Sequence, residues 1–158
     1  MIREPTPREL LKLKAVANYQ FGKGVGDHLF PPGLKVVVSK GRIRQVWRGE
    51  KPLCAVRATD GFILPHREGA KILHGILPPG RLRVTVVEEA VPAVEKGRTV
   101  FAKHVKDADP LIRPKQEVLV VSPSNKLLAT GTALLSGEEM KVFKQGKAVK
   151  VRWGMGVP

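Results

Sequence analysis

Side chains able to do acid–base, metal or nucleophilic chemistry are thinly spread over this 158-residue chain. The four histidines, His28, His66, His74 and His104, have neither i,i+4 metal spacing nor a cysteine pair beside them. Each is expected at the surface or satisfied by a local hydrogen bond. Asp107 and Asp109, followed by Pro110, fit turn and capping roles better than an acid–base dyad. Ser136 precedes Gly137 but lacks the strand–turn–helix context of a nucleophile elbow. Asp60 stands in an Asp-Gly turn with no visible partner. Cys54 is the single cysteine, so no internal disulfide can form; within an apolar strand it is expected as a small buried hydrophobe. The glycine run GKGVG over residues 22–26 matches neither phosphate-loop fingerprint and follows no strand. A structural turn accounts for it better than a nucleotide cradle. No catalytic residue, metal or cofactor is therefore assigned.

What the chain has in quantity is positive charge. It carries 28 Lys and Arg against 14 Asp and Glu, a net of +14. Residues 1–81 hold 15 basic and 6 acidic groups, and residues 82–158 hold 13 and 8, so the excess is spread over both halves. A folded chain of this charge attracts polyanions. An acidic membrane surface is the weaker candidate, because no long basic amphipathic helix is evident. No apolar run approaches the ~20 residues of a membrane span, and the N-terminus has no signal-peptide core. A cytoplasmic protein without a membrane partner is expected. Hydrophobic content of 42% with only 5% aromatics implies a core of Val, Leu, Ile and Ala.

The elements that position these charges follow from pattern. Thr6-Pro7-Arg8-Glu9 is a helix start: Thr6 as N-cap, Pro7 at the first position, Glu9 reaching back. Leu10, Leu11, Leu13, Val16 and Ala17 then form an apolar stripe to about Tyr19, with Lys12 and Lys14 on the outer face. From Leu34 the period becomes two. LKVVVS, RIRQVWR and PLCAVRAT are three strands joined by turns at Lys40-Gly41 and Gly49-Glu50. Arg42, Arg44 and Arg48 share parity on the middle strand, opposite Ile43 and Trp47, which predicts a row of cations on one sheet face. PHREGAKILHG reads as a helix stopped by Gly75, and Pro78-Pro79-Gly80 as a rigid boundary.

Beyond that boundary LRVTVV opens a second series of strands. EVLVV is a near-continuous apolar strand, and SPSN a tight connection. LLATGTALL resumes the strand, with Gly131 marking a bulge or bend. Ser136-Gly137-Glu138-Glu139 caps a short helical turn. AVKVRW is a last strand, with Lys150 and Arg152 facing away from Val149 and Val151. The residues after 153 are expected to fray. Several short strands with glycine at the corners predict a small, nearly closed barrel. The fold class is α+β, with one domain over residues 1–80 and a second over residues 81–158.

These segments carry a resemblance. VFAKHVKDAD, IRP, EVLVV, LLATGTALLSGEEM and GKAVKVR resemble a PUA domain, an RNA-binding pseudobarrel. Within that superfamily they are most similar to the module that ends the archaeal tRNA-guanine transglycosylases of archaeosine biosynthesis. YQFGKGVGDHLF, SKGRIRQV, RATDGFILPHREGAKILH and ILPPGRLRV resemble the pre-PUA domain before that module. The one departure is Lys115-Gln116, where the family usually shows Gly-Asp after the proline.

The resemblance implies that the chain binds RNA, most naturally structured tRNA, as a standalone subunit or accessory factor of tRNA modification. A catalytic barrel sits upstream of these domains in the family, so a separately encoded catalytic subunit is an implied partner and the chain itself is not expected to be an enzyme. A ribosome-biogenesis or translation-associated PUA protein bound to rRNA is one alternative, and an enzyme with an unrecognised site in the first domain is the other. Carried onto this sequence, the family's RNA surface comprises Gly97, Arg98, Phe101, Ala102 and Lys103, with Gly131, Lys147, Lys150 and Arg152. Arg42 and Arg44 are expected to play that part in the first domain, and Lys12 and Lys14 to matter less. Phe101 fits a core position better than a stacking platform.

Overall fold

Thr6 starts the first helix by capping-box chemistry. Its Oγ1 accepts from Glu9 N at 3.1 Å, and Glu9 Oε1 accepts from Thr6 N at 2.9 Å. The computed structural model describes residues 1–157 and divides into two units, Met1–Leu77 and Pro78–Pro158. In the first, β1 (Ile2–Arg3) and α1 (Pro7–Phe21) precede a short α2 (Val25–Leu29). Then come β2 (Lys35–Ser39), β3 (Arg42–Arg48), β4 (Lys51–Val56), β5 (Ile63–Pro65) and α3 (Arg67–Ile76). The five strands pair antiparallel in chain order, β1-β2-β3-β4-β5.

The buried face of α1 is Leu13, Ala17 and Phe21, narrower than the predicted stripe: Leu11 and Tyr19 are largely exposed. These three side chains join Leu29, Phe30, Val36, Val46, Leu53, Ile63 and Leu73 in the core. Each large member contributes roughly 1.5–3 kcal/mol by leaving water. Gln20 ties α1 to the sheet by exchanging two hydrogen bonds with the backbone of Ile63. The glycine run is structural. A Cβ on Gly26 would lie 2.4 Å from the Lys14 carbonyl oxygen, and Gly26 N donates to Asn18 Oδ1 at 2.7 Å. Only glycine allows α2 to approach α1 so closely.

Three expectations need correcting. Gly75 does not end α3; it lies inside the helix, which continues to Ile76 and is capped by Leu77, whose buried side chain holds the exit. The cation row on β3 is interrupted, because Val46 shares its parity and is fully buried. Register shifts at Val37/Val38 against β2 and at Val46/Trp47 against β4 break the strict alternation. Asp60 is partnered: Arg57 forks its carboxylate at 2.9–3.2 Å, and Phe62 N donates to it at 3.0 Å.

The second unit runs β6 (Arg83–Val86), α4 (Val91–Glu95), β7 (Val100–Phe101), β8 (Val105–Ala108), β9 (Glu117–Val121), β10 (Leu127–Ala133), α5 (Gly137–Val142) and β11 (Lys147–Gly154). Its six strands form one sheet in the order β7-β11-β10-β9-β6-β8, with β6 and β9 parallel and the other pairs antiparallel. The two edge strands, β7 and β8, are consecutive in the chain and separated only by a 3₁₀ turn at Ala102–His104. The sheet must therefore curl until its ends meet, which makes a nearly closed barrel. Every residue of β9 is buried, as the apolar run EVLVV predicts. Asp109 accepts from Leu82 N and Leu111 N, a turn and capping role. Ser136 and Glu139 form the capping box of α5. Lys115 has φ 76°, the left-handed region that favours the family's glycine. The chain after residue 153 is better anchored than expected: Gly154 closes β11, and Gly156 N donates to Glu95 O at 3.0 Å. Pro158, the last residue of the expected frayed tail, lies outside the described residues.

Candidate nucleic-acid interface

The β7–β11 pair brings most of the predicted residues of the second unit onto one edge. Phe101 is the Cα partner of Lys147, and Val100 of Val149. Ala102 N donates to Gly146 O at 2.9 Å, which seats the following 3₁₀ turn against the start of β11. The chain entering β7 runs back along the same strand. Gly97, at φ 92°, meets the far end of β11, where a Cβ on Gly154 would lie 2.6 Å from Gly97 N. Arg98 N donates to Ala93 O at 3.1 Å, so the backbone beneath its exposed side chain is anchored to α4.

Along this edge Arg98, Lys103, Lys147 and Lys150 are exposed. Among the described residues none of the four is within ion-pair distance of a carboxylate. Phe101 is 40% exposed beside Lys147, not in the core as expected; the outward side of a two-residue edge strand has no layer above it. Ala102 is buried, so only its backbone is near the surface.

Arg152 departs from expectation most. Its Nη1 donates to Glu117 Oε1 in a tight ion pair, its Nη2 donates to Thr132 Oγ1 at 2.9 Å, and Thr132 Oγ1 donates to Glu117 Oε2 at 2.7 Å. Glu117 is buried, so this guanidinium is committed to the barrel rather than offered to a ligand. The cause is a bulge: Thr130 pairs with Trp153 and Gly131 with Val151, leaving Arg152 as the extra residue and breaking its alternation with Lys150. Gly131 is buried at that bulge, where a Cβ would sit 2.2 Å from the Lys150 carbonyl oxygen.

Other polar groups are accounted for locally. His66 caps α3, its Nδ1 accepting from Arg67 N at 2.9 Å, and partial burial lowers its pKa. Burial pushes the Cys54 thiol up to about 12, the state of an inert hydrophobe. A concavity of about 730 Å³ in the second unit mixes signs, with Lys141 near Asp107 at 3.8 Å. Among the described residues no group of three or more His, Cys, Asp or Glu could hold a metal, and no helix is long and apolar enough to cross a membrane. Arg42 and Arg44 lie in the first unit, where Arg42 Nη1 donates to Ala58 O at 3.1 Å.

Two family matches partition the chain much as the fold does. Residues 12–80 match the patch-forming domain C2 of tRNA-guanine transglycosylase, and residues 82–155 match the PUA domain. The chain is a C2 domain followed by a PUA domain. Across both, it is 48% identical over 155 residues to the tRNA-guanine(15) transglycosylase of Pyrococcus furiosus, covering 98% of this chain and 26% of that protein. It thus spans about a quarter of the length of the curated relatives it matches, in their C-terminal region. Among solved structures, the C2–PUA chain is similar to a hypothetical protein of Pyrococcus horikoshii OT3, with TM-score 0.75 and 27% identity over 98% of this chain and 94% of that one. It shares its fold with a conserved PUA domain protein of Thermoplasma acidophilum, with TM-score 0.70 and 23% identity over 99% and 95%.

Proposed function

We propose that this protein binds structured tRNA through the β7–β11 edge of its PUA unit, as a subunit or accessory factor of tRNA modification. The observation that carries this is the unneutralised row Arg98, Lys103, Lys147 and Lys150 beside the exposed Phe101. Such an edge suits a phosphate backbone read by charge and shape, with an aromatic face available to a base. The likeness to tRNA-guanine(15) transglycosylases favours tRNA over other RNAs. The P. horikoshii hypothetical protein, matched over 94% of its chain, has about this extent, which supports a standalone role. Catalysis then falls to a separately encoded chain. Arg152 is left out of the RNA surface because Glu117 holds it.

The test is to sequence RNA copurifying with the intact protein and to measure binding of an unmodified tRNA transcript by filter retention. Enrichment of tRNA supports the proposal; enrichment of rRNA overturns the choice of tRNA. Arg98→Glu with Lys103→Glu is expected to weaken tRNA binding at least tenfold, with an unchanged circular dichroism spectrum. Guanine incorporation into tRNA by this chain alone would overturn the non-catalytic assignment.

A further inference from the structure

The C2 unit holds a cleft of about 480 Å³ between α1, the start of β3 and the turn over residues 57–61. Leu13, Val16, Ile43 and Val56 give it apolar lining, and Glu9, Lys12, Arg42, Arg44, Arg57 and Asp60 supply its charges. Both carboxylates are already neutralised. Glu9 is forked by Arg3 at 2.7 and 2.9 Å, and Asp60 by Arg57. Among the described residues Lys12, Arg42 and Arg44 face no carboxylate within ion-pair distance. Three cations thus share one concave site without counter-charge, an arrangement that lowers stability through mutual repulsion and attracts an anion.

Two of the three are positioned by backbone features. Arg42 is tethered to the 57–61 turn through Ala58 O, and among the described residues its other donors have no partner. Arg44 is the extra residue where β2 pairing passes from Gln45 directly to Ile43, a bulge of the kind that re-aims a side chain. Lys12 comes from α1, on the face expected to be plain solvent-facing surface. Its neighbour Lys14 is occupied by Asp27 at 3.3 Å.

We propose that this cleft is a second RNA-backbone site, separate from the PUA edge. Lys12, Arg42 and Arg44 take one or two consecutive phosphates, and the apolar lining takes the ribose between them. The volume lies within the ~300–1,000 Å³ of small-ligand pockets, enough for a nucleotide unit but not a duplex. This rests on the RNA-binding reading above.

The test compares two triple variants of the full chain against one unmodified tRNA transcript over a salt series. Lys12→Ala/Arg42→Ala/Arg44→Ala empties the cleft. Lys23→Ala/Arg48→Ala/Lys71→Ala removes the same formal charge from exposed positions of the same unit outside it. The cleft variant is expected to lose about 10–100-fold in affinity near 0.1 M salt and about 2 from the log–log salt slope, the control at most about 3-fold and 0.5. Bound tRNA is also expected to suppress acetylation of Lys12 in the unmodified protein. That readout keeps the test decisive should the triple variant fail to fold. Equal behaviour of the two variants, or Lys12 acetylation unchanged by tRNA, overturns the cleft while RNA binding by the intact protein stands. An intact protein that retains no RNA at low salt overturns both.

Discussion

Glu117 is 5% exposed, and its carboxylate is held by Arg152 and Thr132. Removing one partner of a buried ion pair leaves an uncompensated charge, which costs more than removing both. Arg152→Met is therefore expected to destabilise the protein by about 3 kcal/mol, measured by urea unfolding. Arg152→Met with Glu117→Leu should recover most of that loss. Lys150→Ala, on an exposed cation two residues away, should stay within about 0.5 kcal/mol. Glu9 makes a pH prediction. The Arg3 guanidinium and the Thr6 amide lower its pKa to about 2. A carboxyl depressed on folding stabilises the protein above its unfolded pKa of ~4.3, and that contribution is lost as pH falls through the folded value. Stability should decline from about pH 4.5 toward 2, and Glu9→Gln should flatten that part of the curve in thermal melts. A curve unchanged by Glu9→Gln would show that other carboxylates carry the acid transition.

Gly131 belongs to an element rather than to a ligand. Any side chain there meets the Lys150 carbonyl at 2.2 Å, so Gly131→Ala should force β10 and β11 apart and cost about 2 kcal/mol or more without RNA present. Chemical denaturation of the RNA-free variant checks this; an unaltered midpoint would mean the bulge opens freely. The same bulge shows where sequence pattern stops being informative. Helix starts at Thr6 and Ser136 are legible because capping chemistry lies within four residues. The apolar run of β9 and the tight SPSN connection, closed by Asn125 N donating to Ser122 O at 2.9 Å, are equally local. The break in the Arg42–Arg44–Arg48 row is legible only in part: Val46 has their parity in the sequence, but the register shifts along β3 depend on the paired strands. The Arg152–Glu117 contact joins residues 35 apart that meet across β10, where the pairing of three strands and the bulge turn Arg152 toward Thr132 and Glu117. Lys12 in the C2 cleft was hidden for a similar reason: helical parity orders side chains around α1, but the 57–61 turn decides which of them it shelters.

Over the whole molecule, charge governs the expected binding. Contact with roughly 4–6 phosphates predicts a log–log salt slope of about −3 to −5 for tRNA, and a flat titration would remove the RNA assignment. The two basic units are joined by Pro78-Pro79-Gly80, so a tRNA engaging both gains effective concentration. The intact chain should bind about 10²–10⁴ more tightly than either unit alone, by fluorescence anisotropy. The sheet termini have a consequence of another kind. The first sheet ends in β1, two residues long, and β5, which closes on Pro65; the second ends in the two-residue β7 and in β8, whose Lys106 and Asp107 are exposed. Short, charged or proline-ended borders give a neighbouring copy no strand to template on. A chain with a net charge of +14 thus presents sheet borders that disfavour strand-to-strand pairing between copies.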